Sequence, residues 1–549
     1  MNNIVIVNVT QTQAPLPNKL QKIGALISQG GTTLGVGAYS LLTQLSDLTP
    51  LLAAPLALTS VVWASTYGGQ VTATTTVAHG IAVGQQFTTT IAGVEPAGYN
   101  GTYLCLATGA STFTYYLAVD PGSETVAGTY TPRNAAELVA MATTFFTQGA
   151  QQGVYVLELG AGEPSVGVAN LITFLAENDQ FFYSYLTPRN WDGNSSFLAL
   201  AATLTSTTAK TYFFVTTTLQ NRSLYPATMK SVIKLVEAPV YGVWPANVIT
   251  GATYAANAIT YTTTTTHGVK PGDYFTITGF TPSTYNGTFM ALPGTTGSTL
   301  IGAVAADPGS DTVQGTLVAS RYASTGIPAT EFSHASDFWV ALNYNPSTTN
   351  KVTPFSFAQL NGVTQFPLRG NAALLSLLKA DNTNYVGTGA EGGITNAMLL
   401  WGRTCDGRPF NYWYSVDWMQ INVQLNIANA IINGSNNPIN PLYYNQSGIN
   451  RLQQVAASTG GSAITFGLAL GTVKLAELDG PEFGDNLNAG VYAGNLVVNA
   501  VPFVPYARAN PSDYRIGLYS GLSMVYTPLR GFEQIIFNIN VTDFVAASA

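Results

Sequence analysis

Three histidines, His79, His267 and His334, are the first places in this chain to look for acid–base or metal chemistry. Two of them stand in the same dipeptide, His79-Gly80 and His267-Gly268, and neither has a second His or Cys at ligand spacing. A turn therefore explains them better than a metal site. The third lies in "EFSHASDFW", where Ser333, His334 and Asp337 carry the residue types of a hydrolase triad. Triad members meet through the fold rather than along the chain, so three near neighbours need other support, and none is present. There is no HExxH run and no Cys–His pairing, and no pair stands out among 27 Asp and Glu. The stretch "ELGAGEPSVG" sets Gly160 and Gly162 where a dinucleotide fingerprint would sit, but its third glycine falls on Ser165. No Lys-Ser/Thr pair follows, so a tight strand-to-helix turn is expected in place of a phosphate loop. Cys105 and Cys405 are too few for a disulfide framework. The chain is expected not to be an enzyme and to need no cofactor and no metal.

The elements that would position any site divide into two kinds. One kind occurs twice. Residues 72–130 and 260–316 share "HG", then "YNGT" from Tyr99 and Tyr285, then "DPGS" from Asp120 and Asp307. Each copy is a set of Thr-rich strands broken by Gly, Asn-Gly and Asp-Pro-Gly turns, which predicts a small all-β sandwich or barrel. "DPGS" suits a calcium or sugar loop on one view and a β-turn on the other, and the turn is preferred. Glycan binding stays open through Tyr115, Tyr116 and Tyr274. The copies are too far apart for a solenoid and look like one module inserted twice, at 62–131 and 248–320.

The other kind is the host chain. Helices are expected at 134–150, 165–178 and 227–237, and buried strands at 153–160 and 211–217. That alternation argues a layered α/β region. Further on, Trp418, Ile421, Leu425, Ala428 and Ile432 make a helical stripe with Gly434 as its stop. Tyr412, Trp413 and Tyr414 are expected to form a packed strand leading into that helix.

Composition narrows the function. The chain has 549 residues, enough for about three or four domains. It is 46% hydrophobic but only 9% charged, against about 25% in ordinary soluble domains. A surface so poor in Lys and Glu is expected where much of it faces other protein. The net charge of −7 argues against a nucleic-acid partner. Pro50 and Pro55 break the apolar stretch 48–63, so no membrane span is expected. The first residues lack a basic run, so no secretory signal is expected either, and the protein is read as made in the cytoplasm.

Both ends have strand character. Val5, Val7 and Val9 alternate with Ile4 and Ile6, and Ile535, Phe537, Ile539 and Val541 alternate with Ile536, with Phe544 beyond. Pro-containing tethers, "APLPNK" and "YTPLRG", join them to the body. Strands on tethers are suited to pairing with a neighbouring subunit.

The run "PSDYRIGLYSGLSMVYTPLRGFEQIIFNINVTDF" (511–544) resembles the C-terminal region of the contractile tail sheath proteins of myovirus-type bacteriophages. The stretches 331–371 and 414–454 are similar to the middle region of that family and to its Asp-Trp-opened long helix. The resemblance covers most of the host chain and leaves out the two modules. It implies an α+β or α/β multidomain fold with a core built from N- and C-terminal segments. Its parts would be an arm at 1–20, an α/β middle region at 21–61, 132–247 and 321–400, a tube-facing domain at 401–533 and a second arm at 534–549. It further implies hexameric rings of this chain stacked helically, with the tail tube, baseplate and tail terminator proteins as partners. The place would be a virion tail assembled in the host bacterial cytoplasm, and contraction would drive the tube through the host envelope. Arg515 and Arg530 are the implied candidates for tube contact. A β-rich virion surface protein or glycan-binding adhesin is the competing expectation.

Overall fold

In the computed structural model the described residues are 20–65, 69–149, 153–178, 181–204, 210–219, 221–236, 243–244, 246–269, 273–304, 306–318, 320–321, 327–366, 372–388, 395–470 and 496–532. The terminal strands expected around Ile4–Val9 and Ile535–Phe544 lie outside them.

A six-stranded sheet forms the body. Its strands are β1 (Gly24–Ser28), β2 (Tyr39–Leu42), β3 (Val154–Glu158), β4 (Ser184–Leu186), β5 (Tyr212–Thr217) and β6 (Val232–Val236), in the order β6-β5-β4-β1-β3-β2. All neighbours are parallel except β2, which runs antiparallel to β3 at one edge. Parallel strands are covered on both faces, which explains runs such as "GALIS" and "YFFVTT" buried along their length. Successive residues divide between two cores. Ala25, Ile27, Leu157, Tyr185, Phe213 and Val215 face α2 (Pro164–Glu177) and α3 (Ser195–Thr203). Leu26, Val156, Leu186, Tyr212 and Phe214 face α1 (Ala135–Gln148), α4 (His334–Leu342) and the start of a long helix from the last third of the chain.

The segment 227–237 is expected as a helix; its described part, 227–236, is a turn followed by strand β6. Val232, Ile233 and Val236 have helical spacing, but a strand buried on both faces shows an apolar run and no alternation, so periodicity could not separate the two. Its register against Phe213–Thr217 settles the matter.

After α5 (Ala372–Ala380) comes the long helix α6 (Phe410–Ser435), which pairs with α7 (Gln446–Thr465) as a hairpin. Tyr412–Tyr414 lie in the first turn of α6, not in a strand, because Pro409 takes the extended cap conformation immediately before Phe410. Gly434 does not stop α6. It lets the 436–445 loop fold back, since a Cβ there would come within 2.4 Å of the Leu442 Cβ. A small sheet completes this region: β7 (Ala469–Leu470) and β8 (Leu496–Ala500) flank β9 (Leu522–Pro528), with α8 (Phe503–Ala509) and α9 (Pro511–Ile516) between β8 and β9.

Two barrels interrupt the body. The first lies between β2 and α1 and closes six strands, Leu56–Ala64, Gln70–Thr75, Gln86–Ala92, Gly101–Gly109, Thr112–Tyr116 and Thr129–Tyr130. It begins at Leu56, earlier than 62. The second lies between β6 and α4 and holds six strands between Asn247 and Leu317, whose two end strands meet at the bridge Ala291–Gly302.

The barrels exchange one large side chain between strands. In the first, Tyr115 fills the core and Ala73 stands on the neighbouring strand; at the matching registers the second has Gly302 and Tyr261. Either tyrosine does the same job. Tyr115 donates to the Tyr99 carbonyl at 3.3 Å, and Tyr261 donates to the Tyr285 carbonyl at 2.7 Å, both on the "YNGT" turn. A Cβ at Gly302 would meet Phe289 at 2.8 Å, and Tyr261, whose ring centroid lies 5.9 Å from that of Phe289, leaves that residue little room to shift. In the second barrel, Tyr261→Ala should cost about 3–5 kcal/mol and Gly302→Tyr alone about 1–3 kcal/mol or more. The double variant should recover most of the loss, giving a favourable coupling in a double-mutant cycle measured by calorimetry. Additive losses would show that the two positions do not share one volume.

Candidate functional site

A doubly wound sheet of this order usually takes its ligand beyond the carboxyl ends of the strands, where the order reverses beside β1. Here the chain's own side chains fill that place. Glu158, last residue of β3, accepts through Oε1 from the backbone N–H of Gly30 at 2.6 Å and Gly160 at 2.7 Å. Through Oε2 it accepts from the Thr32 N–H at 3.1 Å, the Ser28 hydroxyl at 2.7 Å and the Thr32 hydroxyl at 2.6 Å. Converging N–H groups of this kind cradle a phosphate in nucleotide-binding turns; an internal carboxylate occupies them here. Gly160 and Gly162, at φ +76° and +145°, carry the chain from Glu158 into α2, so the glycine pair is a strand-to-helix turn. Trp191 is buried alongside and donates to Gln29 at 2.8 Å. At the end of β5, Asp192 accepts from the Thr217 hydroxyl, the Thr218 N–H, Asn221 and the Tyr225 hydroxyl at 2.7–3.1 Å. Burial raises its pKa, and those four donors oppose the rise.

The remaining chemical candidates are also committed to the fold. His334 is fully buried in the first turn of α4, with Nδ1 3.0 Å from Asp337 and Nε2 donating to the Ile233 carbonyl at 3.1 Å. The Ser333 hydroxyl turns away and donates to Glu331 at 2.6 Å. His79 accepts from the Ile81 N–H through Nδ1, and His267 accepts from the Val269 N–H in the same way. Both "DPGS" motifs are turns closed by their aspartates, Asp120 accepting from Gly122 and Asp307 from Gly309 at 2.9 Å. Tyr115 is a core residue and offers no ring to a glycan; Tyr116 is half-buried, and the side chain of Tyr274 lies outside the described residues. Cys105 and Cys405 are buried free thiols, and burial pushes the Cys405 pKa up to about 12. Among the described residues no three His, Cys, Asp or Glu gather as a metal site, and no helix is long and apolar enough to cross a membrane.

What the sequence did not announce is the joint between the sheet and α6. Asp417, on the buried face of α6, accepts the hydroxyls of Tyr183 at 2.9 Å and Tyr212 at 3.0 Å. Gln21 donates to the Tyr183 oxygen at 3.4 Å and to the Tyr414 carbonyl at 2.9 Å. Burial pushes the Asp417 pKa up to about 6, opposed by the two tyrosines and by the charge of Lys210. A lone aspartate in a helix carries no local signature of this role.

The C-terminal segment also carries the exposed surface. The α6 stripe is buried at Ile421 but 59% exposed at Ile432, and beyond the helix Ile439 is 93% exposed, Ile516 71% and Leu518 50%. These residues sit at one end of the hairpin, where Tyr444 packs on Tyr514 and donates to the Leu518 carbonyl at 2.8 Å. Among the described residues, β9 is flanked along Leu522–Tyr526 by β8 on one side, while on the other β7 meets only Thr527 and Pro528. Arg515 is exposed beside this apolar end. Arg530 is exposed at the opposite end, stacked 5.0 Å from the Tyr412 ring centroid at the start of α6. A helix of 26 residues, about 39 Å long, separates the two arginines, so they do not form one patch.

No family model and no curated protein matches this chain. Solved structures do. The helical sheath of the anti-feeding prophage in its contracted state is 9% identical over 98% of this chain and 99% of its own, with a TM-score of 0.43. The baseplate of the same prophage, also contracted, contains a chain 10% identical over 98% of both, at 0.41. The sheath tail protein of Listeria innocua is 8% identical over 92% of this chain and 94% of its own, at 0.35. Two of these neighbours are sheath proteins by name, and the third belongs to a baseplate.

The joint makes a pH prediction. An acid whose pKa rises on folding, here from 3.8 to about 6, stabilises fully below the lower value and loses that contribution as pH climbs through the higher one. Stability should therefore fall between about pH 4 and pH 6, by about 3 kcal/mol from this group. Asp417→Asn keeps an oxygen for both hydroxyls, so it should flatten that slope and raise the denaturation midpoint at pH 7. An unchanged slope in denaturant titrations at pH 4, 5, 6 and 7 would remove Asp417 as its source.

Proposed function

We propose that this protein is the structural subunit of a phage contractile tail sheath, with no catalytic role. The observation that carries the proposal is the exposed apolar end of the C-terminal region, Ile432, Ile439, Ile516 and Leu518. A soluble monomer gains nothing from such a patch, whereas an assembling subunit buries it. The reading is supported by a body whose ligand-binding places are filled by Glu158, Trp191 and Asp192. It is supported also by the resemblance of residues 331–371, 414–454 and 511–544 to sheath sequences.

In this proposal copies form hexameric rings that stack helically around the tail tube, between baseplate and terminator, in the tail of a virion assembled in the bacterial cytoplasm. Ile4–Val9 and Ile535–Phe544 pair with strands of neighbouring subunits and join the rings into a mesh. Fixed strand pairing on tethers lets the bodies rotate and repack on contraction while the mesh stays connected, driving the tube through the envelope for genome delivery. Arg515, beside the apolar end, is the arginine kept for tube contact. The barrels point outward and take no part in it.

Purified protein should form tubes or stacked rings in negative-stain microscopy; discrete closed oligomers at all concentrations would sink the proposal in favour of a surface adhesin. Truncation after Gly531 should leave a folded, soluble monomer that forms no tubes, and tubes from the truncated chain would show that the arm is dispensable.

Replacing residues 56–130 by a short Gly/Ser bridge should leave tube formation intact, checked by the same microscopy. Loss of soluble protein or of tubes would place the first barrel in the body or in its contacts.

A further inference from the structure

We propose that a ring-backed cationic patch at the start of α6, formed by Lys230, Arg408 and Arg530, docks the acidic run Glu477–Asp485 of a second copy of this chain. The proposal rests on the assembly reading above and extends it to a specific contact.

Two rings hold three cations. The Arg408 guanidinium lies 4.9 Å from the Tyr412 centroid and 5.1 Å from that of Trp413. Arg530 stacks at 5.0 Å on the same Tyr412, and the Lys230 ammonium stands 5.1 Å from Trp413. The rings themselves are locked edge-to-face, 5.2 Å apart at 89°. In a chain of only 20 Lys and Arg and net charge −7, three cations on two adjacent rings is a concentrated charge. Asp406, the carboxylate beside Arg408 among the described residues, does not neutralise it. Asp406 accepts from Trp413 Nε1 at 3.2 Å, from the Arg408 N–H at 3.2 Å and from the Thr404 hydroxyl, and it reaches the Arg408 side chain only at 3.9 Å. Among the described residues, neither Lys230 nor Arg530 has a carboxylate within ion-pair distance.

Two guanidinium groups on one ring repel each other, and an anion bridging them removes that cost. Ordinary surface ion pairs are weak partly because two long side chains must be ordered. Stacking has already ordered these, and guanidinium forks suit bidentate carboxylates.

The occupant is chosen by charge. "ELDGPEFGD" places Glu477, Asp479, Glu482 and Asp485 within one short run, the densest group of acids in the chain. It lies outside the described residues, between Leu470 and Leu496, which stand across from Thr527 and Tyr526 on β9. Two different complementary surfaces on the same subunit make a heterologous contact, which propagates from copy to copy and builds a helix.

A synthetic peptide of residues 474–488 tests the contact on full-length monomer, by fluorescence anisotropy at low and moderate salt. Binding should weaken at least tenfold for Arg408→Glu/Arg530→Glu, and also, less strongly, for Arg530→Glu alone, with folding checked by circular dichroism. A peptide carrying Glu477→Lys and Asp479→Lys should regain affinity for the doubly reversed protein. Equal binding to wild type and variants, or no binding to wild type at low salt, overturns the proposal. Binding seen only after the protein's own four acids are neutralised also overturns it, because the patch is then covered within one chain. Tube formation is scored separately: tubes without peptide binding defeat this contact and leave the sheath reading standing, and peptide binding without tubes does the reverse.

Discussion

A parallel sheet must be covered on both faces, and the way this one is covered governs the rest of the molecule. One face is closed locally by α2 and α3, which lie between the strands they cover. The other face needs α1, then α4, and then the first turns of α6, more than two hundred residues beyond β4. Phe410 and Tyr414 belong to the same core as Leu26 and Phe214. The body is therefore finished only by the last third of the chain. Everything that leaves it in between must come back, and each barrel is inserted between an edge strand, β2 or β6, and a helix that covers the sheet, α1 or α4.

The same requirement shapes the polar chemistry. Glu158, Asp192 and Asp417 are carboxylates set among donors and turned inward. Each fastens two parts of the chain that are distant in sequence, in surroundings where an unmatched polar group would be costly. Asp417 is met by two tyrosine hydroxyls, and burial prevails over them as a raised pKa. The joint between sheet and hairpin is thus held by a charge that the protein would sooner keep neutral.

Much of this could be read from sequence wherever a pattern is local. Helix 134–150 is observed as Ala135–Gln148 and helix 165–178 as Pro164–Glu177, because each shows a helical apolar face bounded by Gly, Pro or Asn. The turns of "YNGT" and "DPGS" followed from residue type alone. Strand β6 did not, since a run buried on both faces has neither period. The strand expected at Tyr412–Tyr414 failed because the aromatic run outweighed the signal of Pro409 as a helix cap. The roles of Glu158 and Asp417 were out of reach: each depends on partners supplied by strands far away in the chain. The apolar stripe of α6 was legible, but not that its second half would be left uncovered.

The exchange of Tyr115 and Ala73 for Gly302 and Tyr261 has a genetic consequence. Two similar segments in one gene can exchange sequence by conversion, which would graft the back of one barrel onto the front of the other while leaving α1 and β3–β6 between them in place. A conversion boundary between these positions yields either Ala73 with Gly302, a barrel with neither tyrosine, or Tyr261 with Tyr115, a barrel with both. The first hybrid is hollow by about 3–5 kcal/mol and the second overfilled by about 1–3 kcal/mol. Either hybrid would fold less well than both parents, so the exchanged tyrosine makes the two copies non-interchangeable in part.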